Sequence, residues 1–106
     1  MRILFGQGTP VPLRRSLHPH TLDTATEMGW STLTNGELIS SAEQVGFDAM
    51  ITTDQNLKYQ QNLTHRKVAI VVLKTTSWPR IQGSISKITE SLHGLAPSDF
   101  LEFDFG

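Results

Sequence analysis

Short apolar runs separated by polar segments predict the buried strands of a sheet. Three such runs cover residues 3–5, 47–53 and 67–73, and the last contains the sequence Val-Ala-Ile-Val-Val-Leu. Near-continuous runs of branched apolar residues are typical of parallel strands that are covered on both faces. Residues 20–25, which are rich in Thr, and residues 100–105, which alternate apolar with acidic side chains, predict two further strands.

The clearest helical pattern lies between the second and third predicted strands. Asn35 is a favourable N-cap, and Leu38, Ala42 and Val45 follow at helical spacing before Gly46, which is a typical helix stop. This pattern predicts a helix that ends at Gly46.

Further helical segments alternate with the predicted strands. Residues 78–92 predict a long helix, and shorter helical segments are predicted over residues 10–18, 26–30 and 55–62. Strands that alternate with helices indicate a three-layer α/β/α sandwich with a mainly parallel five-stranded sheet. The whole chain, 1–106, is predicted to form one domain.

Composition and charge narrow the functional classes. Nine Lys and Arg residues against ten Asp and Glu residues leave a net charge of -1, which excludes a uniformly basic coat but not a local basic patch. The absence of Cys excludes disulfides, thiolate nucleophiles and Cys-based zinc sites, and the four His residues lack the spacing of zinc ligands. The short apolar runs predict neither a signal peptide nor a membrane span, and hence a cytoplasmic protein.

Candidate chemistry lies beyond the carboxyl ends of the predicted strands, where sites gather in open parallel sheets. The third strand ends at Asp54, and Glu37 in the first turn of the preceding helix could approach the same edge. Two converging carboxylates could hold Mg2+ or Mn2+, which can activate water and neutralise charge on a phosphodiester. Alternatively, Asp54 caps the next helix, and Glu37 interacts only with its own helix dipole.

Two other features bear on the binding of nucleotides or nucleic acid. The loop Gly6-Gln7-Gly8 lacks the Lys-Ser/Thr ending and the third Gly of nucleotide-binding loops, so a tight turn is the favoured interpretation. Basic residues are concentrated over residues 55–96, where Glu90 is the one acid. The candidate RNA-binding residues are Arg14, Arg15 and Lys58, and an ordinary solvated face is the alternative.

The order of these motifs resembles the small PIN-like proteins related to the VapC-type toxin ribonucleases of bacterial toxin–antitoxin pairs. The resemblance covers nearly the whole chain and rests on residues 2–10, on residues 27–30 with 35–38, and on residues 51–56. In that family an apolar strand is usually followed by Asp, and the third segment usually reads Thr-x-Asp. The chain has Thr52-Thr53-Asp54 in the third segment but Gly6 where the first Asp is expected.

The resemblance implies a PIN-like fold and the ancestry of an Mg2+- or Mn2+-dependent ribonuclease. It assigns catalysis and metal binding to Asp54 and Glu37, and places Gly6, Gln7, Thr53 and Asn56 at the rim of the site. Because Mg2+ sites rely on few charged ligands, loss of the first carboxylate is expected to weaken metal binding. Catalysis is then impaired, unless another group completes the site or residue 6 is itself an altered position.

Three functional hypotheses follow. The first is a toxin-type ribonuclease with a degenerate site. The second is a non-catalytic module that binds RNA or a protein partner. The third is a flavodoxin-like or receiver-like domain with Asp54 as phosphate acceptor, which would need an acidic cluster that the Gly6-Gln7 loop lacks. The resemblance also implies an antitoxin partner or a homodimer, and the short apolar runs predict no membrane partner.

Overall fold

Five parallel strands form one sheet in the computed structural model, which describes residues 1–18, 20–57 and 66–105. The strand order is β2-β1-β3-β4-β5, and every adjacent pair is parallel. The strands are β1 (Arg2–Phe5), β2 (Thr21–Thr24), β3 (Ala49–Thr52), β4 (Ala69–Leu73) and β5 (Phe100–Phe103). The predicted α/β class and five-stranded sheet are confirmed. β3 lies at the centre of the sheet and β1 lies beside it.

Four helices are described: a 3-10 helix (Val11–Leu17), α1 (Asn35–Val45), α2 (Trp78–Gln82) and α3 (Ile85–His93). The prediction of a single helix over residues 78–92 is wrong, because Ser84 leaves the helical region at φ -124° and ψ 18°. Ile81 and Ile88, on either side of the break, are both fully buried. Residues 26–30 form turns rather than a helix, and most of the helix predicted over 55–62 lies outside the described residues.

The strands are shorter than their apolar runs. Phe47 was predicted to begin the third strand, but its backbone N–H donates to the carbonyl of Ala42 and so belongs to the end of α1. The edge strand β5 ends at Phe103 rather than at Phe105. Its last residue is still paired with the chain after β4, because the N–H of Lys74 donates to the Phe103 carbonyl. Strand ends deviate because apolar side chains continue into loops that still face the core.

Alternation along the strands divides the core into two layers. Side chains on one face of the sheet pack with those of the 3-10 helix, α2 and α3; this cluster includes Ile3, Ile51, Val71, Leu13, Ile81 and Ile88. Side chains on the other face pack with α1; this cluster includes Leu4, Met50, Ile70, Val72, Leu38 and Ala42. The sheet is therefore covered on both faces, as the continuous apolar runs predicted. No helix among the described residues is long and apolar enough to cross a membrane.

Candidate functional site

The loops that follow β1 and β3 lie side by side at the carboxyl edge of the sheet. The N–H of Gly6 donates to the carbonyl oxygen of Ile51 at 2.8 Å, and the buried Thr9 hydroxyl donates to the same oxygen at 3.0 Å. β1 pairs with β2 on one side and with β3 on the other, so this is the point where the strand order reverses. Such a reversal is where open α/β sheets bind their ligands.

The two glycines of the first loop are constrained by their neighbours across the edge. Gly8 has a φ of +82°, and a Cβ atom added to it would lie 2.7 Å from the Thr53 hydroxyl oxygen. A Cβ atom at Gly6 would lie 3.2 Å from both the Cβ and the hydroxyl oxygen of Thr52. The loop therefore takes glycine for close approach, in agreement with the tight-turn interpretation.

Asp54 is held by neutral hydrogen-bond donors. Its Oδ2 accepts a 2.6 Å bond from the side-chain amide of Asn35, and its Oδ1 accepts a 2.9 Å bond from the backbone N–H of Asn56. The Asp54 N–H in turn donates to the Thr52 hydroxyl at 3.2 Å. Oδ1 thus shapes the loop after β3, while Oδ2 joins this loop to the first turn of α1. The helix that Asp54 was predicted to cap lies mostly outside the described residues.

Glu37 lies in the first turn of α1 and forms a capping box. Its Oε1 accepts from the N–H of Thr34 at 3.0 Å, and its own N–H donates to the Thr34 hydroxyl at 3.3 Å. The bonds from Thr34, led by the one from its backbone N–H, lower the pKa of Glu37. The N-cap is therefore Thr34 and not Asn35, because Asn35 already has helical backbone geometry and donates to Asp54 instead.

Asn35 is the site residue that sequence reasoning missed. It connects the first turn of α1 to Asp54, and so brings the Glu37 turn beside the end of β3. The sequence pattern Thr34-x-x-Glu37 is that of a capping box and could have predicted this. It assigns the N-cap to Thr34 instead of Asn35, so the Asn35 side chain is not needed to cap the helix.

The predicted rim residues have different roles at this edge. The Gln7 side-chain amide donates to the carbonyl of Ser31 at 2.9 Å, which ties the first loop to the segment before α1. The Thr53 hydroxyl leaves no room for a Cβ atom at Gly8. Asn56 is exposed and donates its backbone N–H to Asp54. The rim is thus neutral and rich in amide and hydroxyl groups.

A groove of about 450 Å³ opens at the carboxyl ends of β1 and β2. Its walls include residues 6–9 and the turn from Thr24 to Glu27, and Arg14 lies among its lining residues. The Arg14 guanidinium donates to the Glu27 carboxylate and, at 2.9 Å, to the Leu22 carbonyl. The hydrogen bond from Arg14 is the main cause that lowers the pKa of Glu27, and the same bond raises the pKa of Arg14.

The remaining basic residues are distributed unevenly over the layers. Arg15 on the 3-10 helix, Arg80 on α2 and Lys87 on α3 are exposed, and within the described ranges none of them forms an ion pair. These helices cover one face of the sheet. On the opposite layer, Arg66 is paired with Glu43 of α1 at 3.0 Å. Lys58 lies outside the described residues.

Comparisons with known proteins add nothing to this geometry. Protein-family models, curated proteins and solved structures all gave no match. The resemblance to PIN-like proteins therefore stays a prediction that rests on the motifs and on their order.

The donor set at the carboxyl edge does not fit a catalytic Mg2+ or Mn2+ site. Such ions are bound by oxygen ligands that include one or two carboxylates. Here the two oxygens of Asp54 accept N–H bonds, Glu37 is engaged in its capping box, and Gly6 has no side chain. Among the residues that the structure describes, no group of three or more His, Asp or Glu side chains is placed to hold a metal ion.

Proposed function

We propose that the chain is a PIN-like domain of ribonuclease ancestry that binds single-stranded RNA and has impaired metal-dependent cleavage. The proposal combines a carboxyl edge whose two carboxylates are engaged by hydrogen bonds with a basic layer beside it. An RNA backbone needs cations and amide donors for binding, whereas its cleavage by this class of nuclease needs a divalent cation held by carboxylates.

The observation that carries RNA binding is the set of three exposed cations, Arg15, Arg80 and Lys87, on one helical layer. The acid of that layer is Glu90, so the layer has a positive balance. α2 follows β4 and therefore starts at the carboxyl edge of the sheet, and Arg80 is the third of its five residues. These three cations form no ion pair with any residue in the described ranges and so are available to neutralise phosphates, while Arg14 is engaged by Glu27.

The salt dependence of RNA binding tests this role. Three phosphate contacts predict a slope of about -2 in log K against log salt, because each neutralised phosphate of a single strand contributes about -0.7. The measurement is fluorescence anisotropy with a labelled single-stranded RNA between low and physiological salt. The double variant Arg80→Gln/Lys87→Gln should reduce the magnitude of the slope by about 1.4.

Lys67→Gln is the matched control, because Lys67 is an exposed cation at the other end of β4, where its backbone N–H donates to Glu43. Its slope should equal that of the wild type. Equal slopes for all three proteins would overturn the assignment of the basic layer. Lack of RNA binding at any salt concentration would favour the alternative hypothesis of a module that binds a protein partner. The partners that the resemblance predicts are an antitoxin and a second copy of the chain.

Cleavage is tested with a pair of isosteric substitutions at position 6. Gly6→Asp restores the carboxylate that the resemblance expects, and Gly6→Asn has the same size without the charge. Both must displace Thr52 by a few tenths of an ångström, since a Cβ atom would lie 3.2 Å from it. In Mn2+ or Mg2+, single-stranded RNA should be cut by Gly6→Asp alone. Wild-type cleavage that equals that of Gly6→Asp and is lost in Asp54→Asn would overturn the impairment.

A further inference from the structure

Two histidines that are far apart in the chain meet at the amino edge of the sheet. His20 directly precedes β2, and His93 is the last residue of α3. Their ring centroids lie 6.3 Å apart with an interplanar angle of 51°. This edge is opposite to the one that holds Asp54, so the pair is independent of the proposed function.

The His20 ring has an unused nitrogen. Its Nδ1 atom is buried and has no hydrogen-bond partner among the described residues, although burial of such an atom without a partner costs free energy. Burial, followed by the charges of the amino terminus and of His93, lowers the pKa of His20. A neutral imidazole carries a free lone pair, which is the form that binds a metal ion.

The separation of the rings is close to that of two imidazoles on one metal ion. A metal–nitrogen bond of about 2.0–2.1 Å places each ring centroid about 3.2 Å from the metal. Two such rings are about 5.2 Å apart at a tetrahedral angle and about 6.4 Å apart when they are opposite. The observed 6.3 Å lies within this interval. His93 is exposed, so a small rotation of its side chain can shorten the ring separation toward the value for a tetrahedral site.

The surroundings contribute charge of both signs: the amino terminus opposes a cation near His20, whereas the end of α3 favours one near His93. His93 lies in the last turn of α3, where the helix dipole is negative. Imidazole nitrogens select borderline ions such as Zn2+, Ni2+ and Cu2+ over Mg2+, which prefers oxygen ligands.

We propose that His20 and His93 form a two-histidine site for a borderline divalent transition-metal ion, with water in the remaining coordination positions. The bound ion links the start of β2 to the end of α3. It therefore stabilises the contact between two elements that lie far apart in the sequence. Ligand spacing along the sequence gives no sign of this site, because the two residues approach each other only in the folded chain.

Calorimetric titration of the full chain with Zn2+ in a non-chelating buffer tests the site. We expect one Zn2+ per chain, and an affinity that falls at least about tenfold in His93→Gln and in His20→Gln. His18→Gln is the matched control, because it removes an exposed histidine outside the pair and should leave the affinity unchanged. Zn2+ at about a hundred times its dissociation constant should raise the wild-type Tm by roughly 10 °C.

Imidazole proton resonances of the wild type provide a second readout that needs no variant. Zn2+ should shift the resonances of His20 and His93 together and leave those of His18 unchanged. Equal affinity in wild type and His93→Gln, or an equal loss in His18→Gln, would overturn the proposal. Resonance shifts confined to other histidines would do the same.

Discussion

Replacement of Gly8 by alanine is expected to destabilise the protein through two separable effects. Gly8 has a φ of +82°, a backbone conformation that L-residues with a Cβ atom adopt at a cost of roughly 1–2 kcal/mol. The new Cβ atom would also lie 2.7 Å from the Thr53 hydroxyl oxygen, so the loops after β1 and β3 must move apart. Overpacking of this kind typically costs about 1–3 kcal/mol. Together the two effects predict a loss of about 2–5 kcal/mol.

Gly29 offers a control for the backbone effect alone. It has a φ of +77°, and a Cβ atom added there would meet nothing within 4 Å. Gly29→Ala should therefore show the conformational cost without the collision. Any gain from a less flexible unfolded chain is common to both substitutions and cancels in their difference.

Urea unfolding of Gly8→Ala, of Gly29→Ala and of two double variants at Gly8 and Thr53 measures the free-energy cost of the close contact. Gly8→Ala should be less stable than Gly29→Ala by about 1–3 kcal/mol. Thr53→Ala removes the hydroxyl, so Gly8→Ala combined with it should recover most of that difference, whereas Gly8→Ala combined with Thr53→Ser should not. If Gly8→Ala and Gly29→Ala are equally stable, or if Thr53→Ala brings no recovery, the close approach of the two loops is refuted.

Three further predictions concern stability. Thr34→Ala removes the capping box with Glu37 and should cost about 1 kcal/mol in thermal unfolding, while an undiminished Tm would contradict the cap. The Arg14 hydrogen bond lowers the pKa of Glu27 from its ordinary value of 4.5, so the ionised form is stabilising. The Tm advantage of wild type over Glu27→Gln should be complete above pH 4.5 and should disappear as the pH falls through the lowered pKa, whereas a constant difference would show that ionisation plays no part. Gly83 has helical φ and ψ of -71° and -11°, and a Cβ atom there would have its nearest contact at 3.6 Å. Gly83→Ala should therefore raise stability by about 0.4–1 kcal/mol in the same assay, and a loss would refute an unstrained site.

Local patterns predicted the elements that are determined by local interactions. The end of α1 follows the sequence closely, because Gly46 adopts a φ of +97° and its N–H donates to the Ala42 carbonyl. β4 is buried along all five residues, as its run of branched side chains predicted. The three-layer arrangement follows from several such strands, since each must be covered on both faces.

Features that depend on contacts between distant segments were not accessible in this way. The break after Gly83 separates two helices that share one apolar spacing, so the periodicity continues across it without a sign of the interruption. The side chain of Asn35 has two uses, capping its own helix or donating to Asp54, and only the folded chain selects the second. The approach of His20 to His93 likewise results from packing of the 3-10 helix layer and not from spacing.

The position of β5 has a consequence for the chain while it is being synthesised. β4, whose five residues are all buried, pairs with β3 on one side and on the other side with β5, which comes from the last part of the sequence. Until residues 100–103 leave the ribosome, a nascent chain presents the apolar β4 with an unpaired edge, a structure prone to aggregation. The final strand thus acts as a protective cover, and truncation before Phe100 is expected to yield insoluble protein even though β1, β3 and β4 are intact.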